Sequence, residues 1–215
     1  MPIEEGDNYT TIMSAKDLRM AEYLHLLNDV GVDSIKIEGR MKSVYYVANT
    51  VRVYRMLIDT LYRLGSGQEY EVMLHKEPIK SYIAELDTIS RRESDTGFFM
   101  HGNSISESKD KNKQSSTKPI EPTLKSYLAG RRLMAMVVGT EEKYSKIEVY
   151  NTIKKEMPLI YISVSFLNKT DSLYKLFIKN NDGQFIEVDS VRNIDEAYLL
   201  PSSGICLTEY DIITL

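Results

Sequence analysis

Apolar and charged residues alternate in blocks between Gly31 and Arg55, and the blocks predict a strand, a charged turn and a long helix. Val32, Ile35 and Ile37 are apolar and β-branched, as in a buried strand of an α/β sheet. Ser43 is a candidate N-cap for a helix with one buried side. Its apolar positions are Val44, Val47, Ala48, Val51, Tyr54, Ile58 and Leu61, and its polar face carries Arg52, Arg55, Asp59 and Arg63.

The residues before this stretch predict another strand and helix. YTTIM at 9–13 is strand-like, Asp17 is a candidate N-cap, and Gly31 is a candidate C-cap. The apolar stripe of this helix is Met20, Ala21, Leu24 and Leu27. The order strand, helix, strand, helix is that of a βαβα unit with parallel strands. Because two strands do not close a sheet, another segment must cover their edges.

The next residues, up to position 102, predict a connection, a helix and a loop. Residues 65–78 form a polar connection, and Pro78 suits the first turn of a helix. The apolar face of that helix, which extends to Arg91 and Arg92, consists of Ile79, Ile83, Leu86 and Ile89. In SDTGFFMHG, two glycines bracket Phe98 and Phe99, which we expect to pack under a loop.

A change of pattern divides the chain into domains at 1–102 and 124–215. Residues 103–123 have almost no apolar content and contain two prolines, which predicts a flexible linker. Beyond it, short runs of period two predict strands at 133–138, 146–150, 159–166, 174–179, 185–191 and 205–207. Asn181-Asp182-Gly183 is a hairpin turn signal. These runs predict a small antiparallel β-barrel.

Composition narrows the class of protein. The net charge of −4 gives no general attraction to polyanions. No apolar run is long enough to span a membrane and the N-terminus has no signal-peptide pattern, so we expect a cytoplasmic protein without a membrane partner. Cys206 is the only cysteine and lies in an apolar run, which favours a buried, inert thiol. Three scattered histidines predict no metal site, and no standard protease motif is present.

Charged residues cluster around the ends of both predicted strands. They are Lys16 and Asp17 at the first strand and Lys36, Glu38, Arg40 and Lys42 at the second. Both turns of a parallel barrel open on the face that carries substrate. Arg40 and Lys42 would then bind a phosphate or carboxylate while Glu38 orients a group or abstracts a proton. The alternative is structural: Asp17 caps a helix, and Glu38 pairs with Arg40 or Lys42 to hold the turn.

Two further features have a binding interpretation and a structural one. Tyr45 and Tyr46 could stack on a base or a substrate ring, or pack against a neighbouring unit. The second domain carries Lys or Arg at 131, 132, 143, 146, 154 and 155, and small barrels often bind oligonucleotides. Residues 124–215 hold 11 basic and 12 acidic residues, so a basic patch would have to be segregated on one face. A plain accessory or docking domain is the alternative.

The stretch KIEGRMKSVYYVANTVRVYR at 36–55, with SAKDL and GVDS before it, closely resembles the signature of the collagenase-like peptidase family U32. The resemblance is strong over 1–102 and weak over 124–215. It implies the fold class α/β plus β: partial (β/α) barrel units followed by a small antiparallel β-barrel. Members of the family have been described as proteases, and others are linked to hydroxylation of tRNA wobble uridine, ribosomal RNA or ubiquinone.

This resemblance implies that Met1 is an internal position and that the chain is the C-terminal half of a longer protein. The first functional hypothesis is tRNA uridine hydroxylation, with RNA and a separately encoded N-terminal barrel half as partners. The second is a collagenase-like peptidase, and the third is a catalytically inactive binding or complementing fragment. Relatives carry four cysteines for an iron-sulfur cluster, one of them at the position of Arg19. Cys206 alone cannot hold a cluster, so we expect no cofactor in this chain.

Within the family reading, the candidate site combines two catalytic and six substrate-binding residues. Glu38 and Arg40 are the candidate catalytic residues. The candidate substrate-binding residues are Lys16, Asp17, Lys36, Lys42, Tyr45 and Tyr46.

Overall fold

The computed structural model describes residues 3–6, 9–12, 16–89, 91–92, 94–97, 99, 130–166 and 168–215. The chain divides into two compact units, 1–40 with 49–130 and 41–48 with 131–215. The predicted linker at 103–123, with the domain boundary placed inside it, lies outside the described residues, as does Phe98. Phe99 is exposed rather than packed under a loop. No helix in the described ranges combines the length and the hydrophobicity that crossing a bilayer requires.

The first unit contains short strands and helices. They are β1 (Ile3–Gly6), β2 (Tyr9–Ile12), β3 (Asp17–Leu18), a 3-10 helix (Ala21–Tyr23), α1 (Leu24–Asp29), α2 (Val44–Leu64), α3 (Gly67–Met73), α4 (Ile79–Glu85) and β4 (Ser94–Asp95). β1 pairs with β2 in an antiparallel hairpin, and β3 pairs in parallel with β4. The parallel pair predicted from 9–13 and 32–37 is therefore wrong. Residues 32–39 carry no regular secondary structure, because no neighbouring strand in the described residues pairs with them.

The predicted helix caps are confirmed at two of three positions. Gly31 ends the first helix at φ 82°, and its N–H donates to Asn28 O at 2.9 Å. Ser43 Oγ accepts from Tyr46 N at 3.1 Å and caps α2. Asp17 is not an N-cap, because it lies in β3 and the helix begins only at Ala21.

The buried face of α2 differs from the predicted one in its first half. Tyr54, Ile58 and Leu61 pack against the core of the first unit, as expected. Val44, Val47 and Val51 are instead 48%, 39% and 47% exposed. Buried positions in this half of the helix include Tyr45, Asn49, Arg52 and Val53, so Arg52 is not on a solvated face.

The core of the first unit is built from the 3-10 helix and the four α-helices. It consists of Ala21, Leu24, Val53, Leu57, Tyr70, Ile79 and Leu86. α3 falls in the segment predicted as a polar connection, and the sequence signal for it is a serine followed three residues later by a glutamate. Ser66 Oγ accepts from Glu69 N at 3.4 Å, and the buried Tyr70 hydroxyl donates to Ala21 O at 3.2 Å. α4 starts after Pro78 as predicted but ends at Glu85, before Arg91.

A buried polar network joins α2 to α4. Asn49 Nδ2 donates to the backbone oxygen of Glu85 at 2.8 Å, and Arg52 donates to Asn49 Oδ1 at 2.8 Å. The guanidinium of Arg52 also lies 3.4 Å from Glu85 Oε2. All three residues are buried, so the amide and the two charges compensate one another where water does not reach.

The described residues of the second unit form ten strands. They are β5 (Leu133–Glu141), β6 (Tyr144–Val149), β7 (Ile153–Lys154), β8 (Leu159–Ile162), β9 (Lys169–Asp171), β10 (Lys175–Lys179), β11 (Phe185–Val188), β12 (Ser190–Val191), β13 (Ala197–Leu200) and β14 (Ile212–Thr214). Eight of them form one antiparallel sheet in the order β11-β10-β13-β6-β5-β14-β8-β9, and β7 pairs with β12. The sheet curls into a half-barrel, so the predicted small antiparallel β-barrel is confirmed in its antiparallel, curled form. The edge strand β9 has three residues, which limits edge pairing.

Most of the predicted strands of the second unit are confirmed. The hairpin turn at Gly183, with φ 79°, joins β10 to β11 as expected. The run 205–207 is not a strand: Gly204 has φ 85°, and Ile205 N donates to Ser202 O at 3.2 Å in a turn. Cys206 on this turn is exposed, so the predicted burial of its thiol is wrong.

The buried carboxylate of Asp171 in the second unit accepts three hydrogen bonds. Asp171 accepts from the Tyr161 hydroxyl at 3.0 Å, from Ser202 N at 2.8 Å and from Leu173 N at 2.9 Å. Burial, with Asp171 beside it, raises the pKa of Tyr161. Burial likewise raises the pKa of Tyr174 to about 12. Both tyrosines are buried against the sheet and keep their protons in the folded unit.

We expect Arg52→Met to destabilise the first unit by about 3–5 kcal/mol, because it breaks a buried charge pair. Urea unfolding followed by circular dichroism at 222 nm, which reports the helices, measures the change. Arg55→Met is the matched control, since Arg55 pairs with Asp59 at 2.6 Å on an exposed surface and should cost less than about 1 kcal/mol. Equal losses in the two variants would contradict the role of the network.

We expect the second unit to lose stability as the pH rises above about 10. Unfolded tyrosines lose their protons near pH 10, whereas Tyr161 and Tyr174 retain theirs to a higher pH when folded. For each tyrosine, the free energy of unfolding therefore falls by about 1.4 kcal/mol for each pH unit between the pKa of the unfolded side chain and the pKa of the folded one. Urea titrations at pH 10 and 11 measure this slope, and Tyr174→Phe should remove one tyrosine's share. An unchanged slope in that variant would contradict the assignment.

Candidate functional site

Two of the predicted site residues, Lys16 and Asp17, lie at the β3–β4 pair. Asp17 accepts from Arg92 Nε at 2.9 Å and from Arg92 N at 3.1 Å. Lys16 Nζ lies 3.9 Å from Asp95 Oδ2. These contacts join the two short strands across 75 residues of sequence, so Asp17 has a structural role that local spacing did not reveal.

Three other predicted site residues precede α2. Lys36, Glu38 and Arg40 are all exposed. Glu38 Oε1 accepts from Arg40 N at 3.2 Å, which folds the carboxylate back over its own turn. This hydrogen bond is the turn-holding role considered from the sequence, although the partner is the backbone of Arg40. The guanidinium of Arg40 and the ammonium of Lys36 extend from an exposed segment that a ligand can reach.

The start of α2 carries the remaining predicted residues. Lys42 Nζ lies 4.8 Å from the ring centre of Tyr46, a cation–π contact. Tyr45 is buried, whereas Tyr46 is half-buried. A buried ring cannot stack on a substrate without rearrangement, so Tyr46 is the better placed of the two for such a contact.

The exposed segment 36–42 is suited to binding an anion. It contains three cationic side chains, Lys36, Arg40 and Lys42, and one carboxylate, Glu38. Guanidinium and ammonium groups form charge-assisted hydrogen bonds with phosphate oxygens. The carboxylate sits within the same turn and can accept a proton or a hydrogen bond from a bound hydroxyl.

Three of the six basic residues predicted as a possible patch in the second unit have acidic or polar partners. Lys146 pairs with Glu196 at 2.6 Å, Lys155 lies 3.8 Å from Asp189, and Arg132 donates to Asn151 Oδ1 at 2.6 Å. The hydrogen bond from Lys146 lowers the pKa of Glu196, so this carboxylate stays ionised at neutral pH. Arg132, Lys146 and Lys155 therefore each have a partner within the second unit.

A cluster of aromatic rings packs together in the second unit. Tyr144 lies 4.7 Å from Phe177 and 4.1 Å from Phe185, and Phe185 lies 5.0 Å from Tyr198. Lys179 covers Phe185 at 5.1 Å and pairs with Glu141. The rings are mostly buried among themselves and beneath lysine stems, so they stabilise the sheet rather than offer stacking platforms.

The residues present do not suit an iron-sulfur cluster. Such a cluster takes four cysteine thiolates, and the chain has one cysteine. Arg19 stands where the resemblance implies a cysteine in relatives. Its guanidinium forms ion pairs with Glu22 and with Asp87, the second at 2.8 Å. Within the described ranges, no three histidine, cysteine or acidic side chains come together as a metal site.

Sequence reasoning missed the long-range contacts of the first unit. Asn49 and Arg52 reach Glu85 over more than 30 positions, and Arg92 reaches Asp17 over 75. Local spacing carries no signal for such contacts. The one available hint was an arginine and an asparagine three residues apart on a helix, which places them on one face.

An exposed cationic turn before a long helix does not by itself identify the protein. Comparison with known proteins is more specific: the model of Peptidase family U32 matches residues 3–109, about half of the chain. The chain belongs to peptidase family U32 through this segment.

Similar proteins include two that are named for tRNA hydroxylation. The chain is 40% identical over 87 residues to tRNA hydroxylation protein P1 of Bacillus subtilis, covering 40% of the chain and 19% of that protein. It is 51% identical over 70 residues to tRNA hydroxylation protein P of Escherichia coli, covering 33% and 15%. The chain thus matches less than a fifth of the length of either relative, as expected of a portion of such a protein.

A solved structure is also similar to part of the chain. It is the C-terminal domain of a Geobacillus thermoleovorans protein assigned to the U32 peptidases, with 16% identity and a TM-score of 0.32. The likeness covers 40% of this chain and all of that domain.

We expect Ser43→Ala to loosen the start of α2, because it removes the acceptor for Tyr46 N. Loss of such a cap costs about 1 kcal/mol, so the Tyr46 amide should exchange with deuterium about five times faster. Hydrogen exchange followed by mass spectrometry measures this change. Ser43→Asp is the control, since its carboxylate can still cap the helix, and faster exchange in that variant too would contradict the role of the cap.

Proposed function

We propose that this chain acts in tRNA hydroxylation as a portion of a U32 protein, contributing substrate binding rather than redox chemistry. The observation that carries the proposal is the high identity to two tRNA hydroxylation proteins over a segment that includes the family motif. The exposed cationic turn within that motif supports it, since RNA presents phosphates to a binding protein. A cytoplasmic location suits such a substrate.

The residues of this turn have distinct roles in the proposal. Arg40 and Lys42 bind a phosphate of the RNA, with Lys36 adding positive charge nearby. Glu38 orients or deprotonates a group of the substrate. Tyr46 stacks on an exposed base, while Tyr45 remains part of the packing. Lys16 and Asp17 hold the β3–β4 pair and act on the substrate only indirectly.

The oxidising chemistry must come from elsewhere in this proposal. Cys206 supplies a single exposed thiolate donor, so a family iron-sulfur cluster would be held by another part of a U32 protein. An N-terminal barrel half, encoded separately, is the proposed source. In this arrangement the chain alone binds but does not hydroxylate.

The family description supports peptidase activity as a second candidate. Incubation of the purified chain with gelatin, in the presence of metal ions or of a chelator, tests it. Cleavage that Glu38→Gln abolishes would favour the peptidase, and intact gelatin in every condition would exclude it for this chain.

We expect deletion of the gene to lower hydroxylated uridine in tRNA, as measured by mass spectrometry of digested tRNA. Expression of the intact chain should restore the modification. Arg40→Ala should restore less than about a tenth of it, because a lost charge-assisted contact costs about 1.5–3 kcal/mol.

Arg55→Ala is the matched control for this experiment. Arg55 is an exposed arginine on α2, outside the turn, and its removal should leave the modification intact. Unchanged hydroxylated uridine after gene deletion would overturn the proposed function. Equal effects of the Arg40 and Arg55 variants would overturn the role of the turn.

A further inference from the structure

Two arginines of the first unit meet at one carboxylate oxygen. Asp87 Oδ1 accepts a hydrogen bond from Arg19 Nη1 at 2.8 Å and another from Arg91 Nη2 at 2.6 Å. Both guanidinium groups therefore reach a single point in space, although they come from distant parts of the sequence. Guanidinium groups that converge in this way are well suited to binding the oxygens of a phosphate group.

The three side chains differ in their exposure to solvent. Those of Arg19 and Arg91 are 14% and 17% exposed, whereas that of Asp87 is 50% exposed. The arginines are thus largely enclosed by the unit, and the carboxylate lies on their solvent side. Water can replace most of what an exposed carboxylate gains from an ion pair. The place of the Asp87 oxygen is therefore open to exchange with another anion.

Contacts that do not involve Asp87 hold both arginines in position. Arg19 Nε and Nη2 donate to the carboxylate of Glu22, the first at 3.3 Å. Arg91 Nη1 donates to the backbone oxygen of Arg92 at 3.3 Å. The two guanidinium groups therefore remain in place when Asp87 turns away. A site that is formed in advance binds its ligand with little further loss of conformational entropy.

The arginine pair also has donors and charge that Asp87 leaves unused. Arg91 Nε is buried and, within the part of the chain that the structure describes, has no hydrogen-bond partner. Glu22 balances the charge of Arg19, so displacement of Asp87 leaves one positive charge uncompensated. Asp87 serves both arginines through a single oxygen, whereas a phosphate group offers a separate oxygen to each.

We propose that Arg19 and Arg91 form a phosphate-binding site in which the carboxylate of Asp87 is a resident counter-ion that a phosphate group displaces. The site uses none of the residues of the turn at 36–42, and the inference does not depend on the proposed function. The same contacts serve a free phosphate ion and a phosphate of an RNA strand. The experiment below therefore includes both sources.

The test titrates the purified full chain with inorganic phosphate and follows the arginine Nε–H signals by nuclear magnetic resonance. The signals of Arg19 and Arg91 should shift and reach saturation as phosphate is added. Sodium chloride at the same ionic strength is the reference, because it screens charges without offering two acceptor oxygens to the pair. Phosphate shifts no larger than those with chloride would contradict the inference.

Two variants and a control make the result specific. Asp87→Asn keeps the size of the side chain and removes the competing charge, so phosphate should bind at least fivefold more tightly. Arg91→Lys keeps the positive charge but loses the planar fork, so phosphate should bind at least fivefold more weakly. Asp59→Asn removes the same charge from an exposed pair with Arg55 and should leave the affinity unchanged. Circular dichroism shows whether each variant retains its helices.

A second arm uses a fluorescent single-stranded uridine oligonucleotide, whose binding is measured by anisotropy. A gain in affinity from Asp87→Asn in this arm assigns the site to a phosphate of RNA, and a gain with inorganic phosphate alone assigns it to a free phosphate ion. A purely structural ion pair predicts no gain in either arm. That result, or an equal gain in Asp59→Asn, would overturn the inference. Neither arm measures uridine hydroxylation, so the proposed function is tested separately.

Discussion

The buried contact of Arg52 with Asn49 and Glu85 is the interaction on which the first unit depends. It joins α2 to α4 at buried positions, where apolar side chains are more usual. A charge in this place is costly unless every polar partner is present, so the two helices are held in one arrangement.

The pairing of backbone groups determines which extended segments become strands. In the second unit every strand of the eight-stranded sheet has a neighbour from the same unit, and the curled sheet buries its aliphatic side. In the first unit β3 and β4 form only two residue pairs. The segment at 32–37 has similar side chains to the strands of the second unit, yet no strand among the described residues pairs with it, and it is irregular.

The sequence predicted those features that depend on nearby residues. The caps at Ser43 and Gly31, the turn at Gly183 and the apolar face of α4 are local, and the structure confirms them. It did not predict the burial of Arg52, whose partner Glu85 lies 33 positions away. The same limit applies to the candidate site: the turn around Arg40 was found from its charges, whereas the bond of Asp17 to Arg92 depends on a strand pair that periodicity does not reveal.

Phosphate binding and thiolate-bound redox chemistry require different side chains. Hydroxylation needs an oxidant and a centre that transfers electrons, and a cluster bound by thiolates cannot be assembled around one cysteine. The cationic turn needs no such centre, because phosphate binding requires only fixed positive charge. The exposed valines of α2 lie in the same family motif as this turn, so the candidate binding residues and an exposed apolar stripe are close in the sequence.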